Sequence, residues 1–599
     1  MRLCAIELEN FKGISTLQRI ELSPITLLFG PNSVGKSTVL QALHYLREIL
    51  ERQNVNPDKT VVGGSIDLGG FKNMVHNHEL NRSIRIKVEM DLSGWYDIEH
   101  LEYHFRGFLN GVDDFEELIH TRYLIGIHSV MDPKPVENVG IEVEISWSEL
   151  LENPYVSKYT VFMDQEKIAS IQSPPQKGWA QLGEINYAHP LLSIFEEPTG
   201  EGDAAQWEKE TNPEIIIAET PQDTELGKEL QALSLQMASI PPDSFNIDDG
   251  VWYTVGVSTE FGALPEIREM LELELRDDSS IADLDEFLAE KMEDAPHHKS
   301  TQEELVENSQ SRRLSLTRLL DELMLGPARI ALDYLESITY IGPIRAIPNR
   351  DYQHKLSPDS SRWANGLVAW DLLYEGSDDK LIKKVNSWMF EENKLNTGYQ
   401  LETSENKIIP VPGHFHQLFE RGLDEDDLGV LQELYNNLPT AKKIVLRDFH
   451  KGVLVEPIDV GVGISQMLPV VVACLKSGDG LRIIEQPELH IHPALQVSLG
   501  DLFIETIQSE DNPENPLSSL LIETHSEHII LRLIRRIREK FEDELPENAI
   551  GLDPSDVSVY YVQDTAKGVQ FKKLRIDEEG EFIDRWPKGF FDERAAELF

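Results

Sequence analysis

Apolar and polar residues alternate along LCAIELENF near the start of the chain and again in QRIELSPITLLFG, whose second half becomes continuously apolar. Alternation marks a strand with one face against a core, and a short unbroken apolar run marks a strand buried on both faces. A Gly-rich loop follows, and STVLQALHYLREIL then spaces its apolar residues helically. The opening therefore predicts strand, turn, strand, loop, helix. Between about 80 and 190, SIRIKVEMDL, VGIEVEISW and YTVFMD alternate between turn residues, which predicts an antiparallel β layer. From about 200 to 335, ALPEIREMLELEL, IADLDEFLAEKMEDA and SRRLSLTRLLDELMLGPARIALDYL read as helices separated by Pro- and Asp-rich links. No heptad run is sustained long enough for an extended coiled-coil arm.

After about 336, SITYIGPIRAIP and the apolar strands LRIIEQ and SLLIETHSEH each lead toward a helix. Parallel strands alternating with helices imply a sheet covered on both faces. DVSVYYVQD and VQFKKLRIDEEGEF predict two strands of a small terminal unit. The fold class is α/β, a mixed sheet with helices and an antiparallel β layer. Four regions are expected: an N-terminal lobe at 1–200, a helical insertion at 201–335, a C-terminal lobe at 336–545 and a small α+β unit at 546–599.

Composition limits the function. The 599 residues carry 55 Lys+Arg against 105 Asp+Glu, a formal charge of -50, while 40% hydrophobic residues suffice for large cores. A surface this acidic repels polyphosphate at long range and excludes a bulk DNA-coating protein. The cysteines Cys4 and Cys474 lie at opposite ends, which excludes a disulfide framework or a Cys-based zinc site and fits a reducing cytoplasm. The longest strongly apolar run, MLPVVVACL, is too short to span a bilayer, and the N-terminus carries no signal core. A cytoplasmic protein without membrane contact is expected.

The strongest chemical signal is Gly30-Pro-Asn32-Ser-Val-Gly35-Lys36-Ser37-Thr38, a GxxxxGK[ST] loop between an apolar strand and an amphipathic helix. Its glycines let backbone N–H groups curl around phosphate oxygens, Lys36 reaches terminal phosphates and Ser37 can ligate Mg²⁺. LRIIEQPELHIHP places Glu485 at the tip of an apolar strand, where a carboxylate beside a phosphate loop can hold Mg²⁺; a plain strand-end Glu is the alternative. Asp459-Val-Gly-Val-Gly463-Ile-Ser465-Gln466 precedes an apolar helix whose N-terminus could grip phosphate. Glu523-Thr-His525-Ser ends the next apolar strand at a single polar His.

With these motifs the chain resembles the ABC-type ATPase superfamily, in its SMC/RecF/OLD-like branch. The carrying residues are ENFKGI, GPNSVGKST as Walker A, DVGVGISQMLP in the place of the signature, IIEQPELHIHP as Walker B with its D-loop, and IETHSEHIILRLIRRI as the switch-histidine strand and helix. GEFIDRWPKGFFDERAAELF echoes relatives that end in a small domain of unknown function. The resemblance implies an ABC-type ATPase head that takes ATP and Mg²⁺ in a head-to-tail dimer or higher oligomer. Gly30, Asn32, Gly35, Lys36, Ser37 and Thr38 of one subunit would bind ATP, closed over by Gly463, Ser465 and Gln466 of the other. Ser37 and Glu485 would hold the metal, His525 would sense the γ-phosphate, and Lys12 would lie near the nucleotide. Many members of this group occur in phage-defence or genome-maintenance operons.

One departure matters: where the family has an acidic pair, this chain has Glu485 and Gln486. An amide cannot take a proton, although it can orient a water. Either Glu488 supplies the base or the protein is an ATP-gated clamp, and weak hydrolysis with Glu488 contributing is the expectation.

HIILRLIRRIREK gathers Arg532, Arg535, Arg536, Arg538 and Lys540, either as a contact for nucleic acid or an acidic partner or as a solvated face neutralising nearby carboxylates. Arg345 and Arg350 stand beside prolines in YIGPIRAIPNRDY without an assigned role. His490 and His492 fit D-loop geometry better than a metal pair. The expected function is an ATPase whose closure controls a separate effector protein, with a nuclease as one such class. A non-hydrolysing scaffold that sequesters an effector and a RecF-like DNA-repair clamp are the alternatives.

Overall fold

The computed structural model describes residues 1–60, 66–92, 136–174, 180–186, 254–260, 262–276, 302–355, 360–375, 379–424, 427–508 and 518–586. Strands β1 (Arg2–Glu9) and β2 (Gln18–Glu21) lead to β3 (Ile25–Phe29) and the Gly-rich loop. β1 and β2 then join β4 (Ile84–Asp91), β5 (Asn138–Ser148), β6 (Asn153–Met163), β7 (Glu166–Gln172), β8 (Ala180–Ile185), β9 (Thr254–Val257) and β10 (Leu273–Arg276). Together they form a nine-stranded antiparallel sheet ordered β10-β9-β8-β7-β6-β5-β4-β1-β2.

β3 belongs to a second sheet, with β11 (Thr339–Ile341), β15 (Gly480–Glu485), β16 (Ser518–Glu523), β17 (Val557–Thr565) and β18 (Gly568–Leu574), ordered β11-β15-β16-β3-β17-β18. All of its pairings are parallel except β17–β18. A smaller sheet joins β12 (Tyr399–Lys407), β13 (Thr440–Asp448) and β14 (Val453–Val455).

Every residue of β3 is buried because its two faces serve two cores. Ile25, Leu27 and Phe29 face a core made with helices Leu367–Glu375, Val462–Leu475, Pro493–Ile507 and Glu527–Phe541. Leu28 faces the other core, which holds the inner face of the nine-stranded sheet and helices Thr38–Arg52 and Gln302–Glu336. This is the α/β architecture, a mixed sheet with helices and an antiparallel layer, that the motifs imply.

Two expectations change. ALPEIREMLELEL is not helical: it ends in β10, because buried Leu271 and Leu273 flank exposed Glu272 at the period of two that a strand requires. The last strands are not a separate unit, since β17 pairs with β3 along Val557–Tyr561 and completes the sheet that carries the phosphate loop. IADLDEFLAEKMEDA lies outside the described residues, and SRRLSLTRLLDELMLGPARIALDYL falls within the helix Gln302–Glu336. Among the described residues no helix is long and apolar enough to cross a membrane.

Candidate nucleotide site

β3 delivers the chain into Gly30–Ser37, and the helix Thr38–Arg52 takes it away. Gly35 has φ +102°, a conformation that a side chain would strain, and Asn32 stands exposed on the crest of the loop. Lys36 is only 3% exposed. Its Nζ donates to the carbonyls of Gly30 (3.1 Å) and Pro31 (2.9 Å) and lies 3.1 Å from His525 Nε2 and 3.6 Å from Glu523 Oε1. Thr38 is buried, and its N–H donates to the Gly35 carbonyl. Ser37 occupies the N-cap position without capping through its side chain; its hydroxyl instead donates to Glu523 Oε2 at 2.6 Å.

The parallel register of β15 and β16 sets Glu485 directly beside Glu523 at the two strand tips. Tyr340 donates its hydroxyl to Glu485 Oε1 at 2.8 Å. Burial, and then the neighbouring Glu523 charge, push the Glu485 carboxyl up to about 7. Burial lowers the Lys36 ammonium against the opposing pull of Glu523, Glu488 and Glu485. Burial and the Lys36 charge lower His525 as well. A neutral imidazole there can accept a Lys36 N–H, which ties the phosphate loop to the end of β16.

Glu488 is half-buried, and desolvation raises its carboxyl. One of its oxygens accepts from Thr524 Oγ1 (2.8 Å) and the other from the His525 backbone N–H (2.7 Å), so Glu488 holds the loop that presents His525. Gln486, at φ +46°, donates its backbone N–H to the Glu523 carbonyl at 2.7 Å.

Ser465 and Gln466 are buried and face the interior of the chain. Ser465 Oγ donates to the Pro457 carbonyl at 2.8 Å, while Gly461 and Val462 are exposed at the start of that helix. Gly463 abuts the D-loop so closely that a Cβ would lie 2.5 Å from the His490 carbonyl oxygen. Arg345, 2% exposed, joins the two segments. Its Nη2 donates to the carbonyls of Glu485 (2.6 Å) and Gln486 (3.2 Å), its backbone N–H donates to Gln466 Oε1 (3.0 Å), and Gln466 Nε2 donates back to the Arg345 carbonyl. Burial lowers this guanidinium to about 10. An arginine between prolines gave no signal of that role; Arg350 instead pairs with Asp459 on the exposed side of the same loop.

Lys12 adopts φ +49° in the ENFK turn and lines an open cavity of about 670 Å³ with Asp67, Asn73 and His78. Val569 links this turn to the phosphate loop: its N–H donates to the Gly13 carbonyl at 2.8 Å, and its side chain packs against Gly35. Lys36, Ser37, Glu485, Gln486, Glu488 and His525 thus converge, Gly463, Ser465 and Gln466 connect through Arg345, and the turn that carries Lys12 is joined to the phosphate loop through Val569. Glu523 is the member of the cluster that sequence reasoning missed; its only signal was a charge at the tip of an apolar strand.

The Ser37 hydroxyl and the carboxylates of Glu485 and Glu523 form a hard oxygen set of the kind Mg²⁺ takes. Among the described residues no group of three or more His, Cys, Asp or Glu side chains suits a metal by itself. An ion here would draw its other ligands from phosphate and water. His492 is occupied otherwise, its Nδ1 accepting from the Ala494 N–H to cap the helix Pro493–Ile507.

The basic helix is largely neutralised in place. Arg532 and Arg536 pair with Asp501, Arg535 and Arg536 with Glu539, and Lys540 with Asp553, while Arg538 donates to the Glu579 carbonyl. This is the arrangement of a helix face balancing nearby carboxylates.

A phosphate loop after a central parallel strand, faced by carboxylates from the next two strands, defines a P-loop ATPase head. The chain belongs to the AAA ATPase domain family, which matches residues 1–231 and 374–530. Residues 552–599 match a second family, described as a protein of unknown function (DUF3696). Among solved structures, the SMC head domain from Thermotoga maritima is 7% identical, covers 96% of this chain and 100% of its own, and has a TM-score of 0.32. An Smc head domain with an extended coiled coil, bound to the C-terminal domain of ScpA and derived from Pyrococcus furiosus, is 10% identical, covers 100% and 98%, and scores 0.31. Scores this low add nothing to the fold already described. Comparison with curated proteins gave no match.

Proposed function

We propose that the chain binds MgATP at Gly30–Thr38 and hydrolyses it slowly as a head-to-tail dimer or higher oligomer whose closure controls a separate effector protein of antiviral defence. The observation that carries this reading is the single buried cluster in which Lys36 and Ser37 meet Glu523 and Glu485. Lys36 would leave its loop carbonyls for the terminal phosphates, and Ser37 and Glu485 would hold Mg²⁺, which neutralises phosphate charge when bound. Gln486 can orient water but not deprotonate it, which accounts for slow turnover. Glu488 contributes through His525 or as the base itself. The Arg345 ties supply a route by which a change at the Glu485 tip reaches the helix Val462–Leu475. A protein partner is supported by exposed apolar side chains on and around the β12–β14 sheet, among them Val411, Phe419, Leu428, Leu454 and Val462.

A second reading, an ATP-stabilised scaffold without turnover, is favoured by one observation: both Glu488 oxygens are already engaged. Phosphate release measured alongside oligomer state in ATP and in ADP separates the two. Assembly in ATP with steady release supports the ATPase, and assembly without release supports the scaffold. Glu488→Gln is expected to lower steady-state release well below wild type while sparing ATP binding; equal release rates would remove Glu488 from the mechanism.

A further inference from the structure

We propose that Glu523 is a cation-holding carboxylate of this site and supplies, from the neighbouring strand, the second acidic group that Gln486 cannot. The inference rests on the MgATP reading above and concerns which side chains complete it.

β16 lies between β15 and β3, so its tip is closer to the phosphate loop than the tip that carries Glu485. The backbone there is fixed on both sides: the Glu523 carbonyl accepts from the Gln486 N–H, and the following Thr524 N–H donates to Leu28 of β3 at 3.1 Å. The carboxylate then reaches the two loop side chains that serve phosphate and metal, with Oε2 on Ser37 Oγ at 2.6 Å and Oε1 3.6 Å from Lys36 Nζ. Ser37 spends no hydroxyl bond on capping its own helix, so that hydroxyl and Glu523 form a ready pair of oxygen donors.

The charge balance points the same way. Three carboxyls, those of Glu485, Glu488 and Glu523, surround one ammonium, Lys36, and the nearby Arg345 donates to carbonyl oxygens rather than to any of the three. Buried carboxylates placed side by side repel unless a proton or a cation comes between them. An acidic pair split across two adjacent parallel strands brings two carboxylates to one edge as effectively as consecutive residues on one strand.

A purely structural role for Glu523, anchoring Ser37 and Lys36, makes a different prediction from cation binding. Glu523→Gln keeps the side chain's volume and an acceptor for Ser37 but loses the charge. The experiment is a Mn²⁺ titration followed by electron paramagnetic resonance on the full chain with a non-hydrolysable ATP analogue, beside binding of the same analogue in EDTA. Glu523→Gln is expected to weaken Mn²⁺ about tenfold or more, while analogue binding in EDTA stays equal or tightens because a negative charge beside Lys36 has gone. Adding Gln486→Glu to that variant is expected to restore part of the Mn²⁺ affinity. If Glu523→Gln lowers the melting temperature, Glu523→Asp, which keeps the charge but withdraws it from Ser37, is expected to weaken Mn²⁺ as well. Mn²⁺ affinity within about twofold of wild type in the variants overturns the assignment while leaving nucleotide binding intact. A wild-type chain that binds no nucleotide overturns the underlying reading together with it.

Discussion

Glu485 is held against its ordinary acidity, and this has a consequence that can be measured without nucleotide. Its carboxyl is raised from 4.5 to about 7 in the folded chain. Between those values the folded state keeps a proton that the unfolded chain releases, so this residue's contribution to stability falls as pH rises through that window and stays reduced above it. A shift of that size corresponds to about 3 kcal/mol at most. Glu485→Gln is therefore expected to melt higher than wild type at pH 8 and close to wild type at pH 5; an equal difference at both pH values would contradict the raised carboxyl. Lys36, Ser37 and Glu485 could be read from the chain because their chemistry sits in local motifs. Glu523 could not, because its meaning comes from lying opposite Glu485 in a register that only the folded sheet creates.

Arg345 acts at the scale of elements, joining the tip of β15 to the helix Val462–Leu475. Arg345→Met would leave the Glu485, Gln486 and Gln466 carbonyls to find other partners inside the protein, while the bonds between the residue 345 backbone and the Gln466 amide stay, and a loss of about 3 kcal/mol is expected by denaturant unfolding. Arg345→Lys is not expected to rescue it, since one ammonium does not reproduce a guanidinium whose Nη2 serves the Glu485 and Gln486 carbonyls while its Nη1 reaches the Gln466 carbonyl. Unchanged unfolding would show that the segments are joined by other contacts. The buried parallel strands were readable because short apolar runs dominate β3, β15 and β16. β10 was misread because a run of alternating Leu and Glu fits a helix stripe nearly as well as a strand until a neighbouring strand supplies its edge.

At the scale of the molecule, the C-terminal segment is part of the ATPase sheet. Tyr560 of β17 accepts the Glu21 N–H at 2.8 Å, and β17 covers the β3 edge. A chain ending at residue 551 is expected to lose soluble expression and nucleotide binding together; soluble, nucleotide-binding truncated protein would restore the view of an independent terminal unit. The charge of -50 also gains a location. Arg532, Arg535, Arg536 and Lys540 of the helix Glu527–Phe541 are paired with local acids, and Arg535, 59% exposed, is still paired with Glu539. Arg535→Ala is therefore expected to leave any DNA affinity and its salt dependence unchanged, and a loss would reopen nucleic acid as a partner. The claim on which the rest depends is that the buried cluster at the phosphate loop holds MgATP. Isothermal titration of ATP in Mg²⁺ into wild type and Lys36→Ala tests it most directly: saturable one-site binding by wild type and none by the variant is predicted, and equal binding by both would contradict the account.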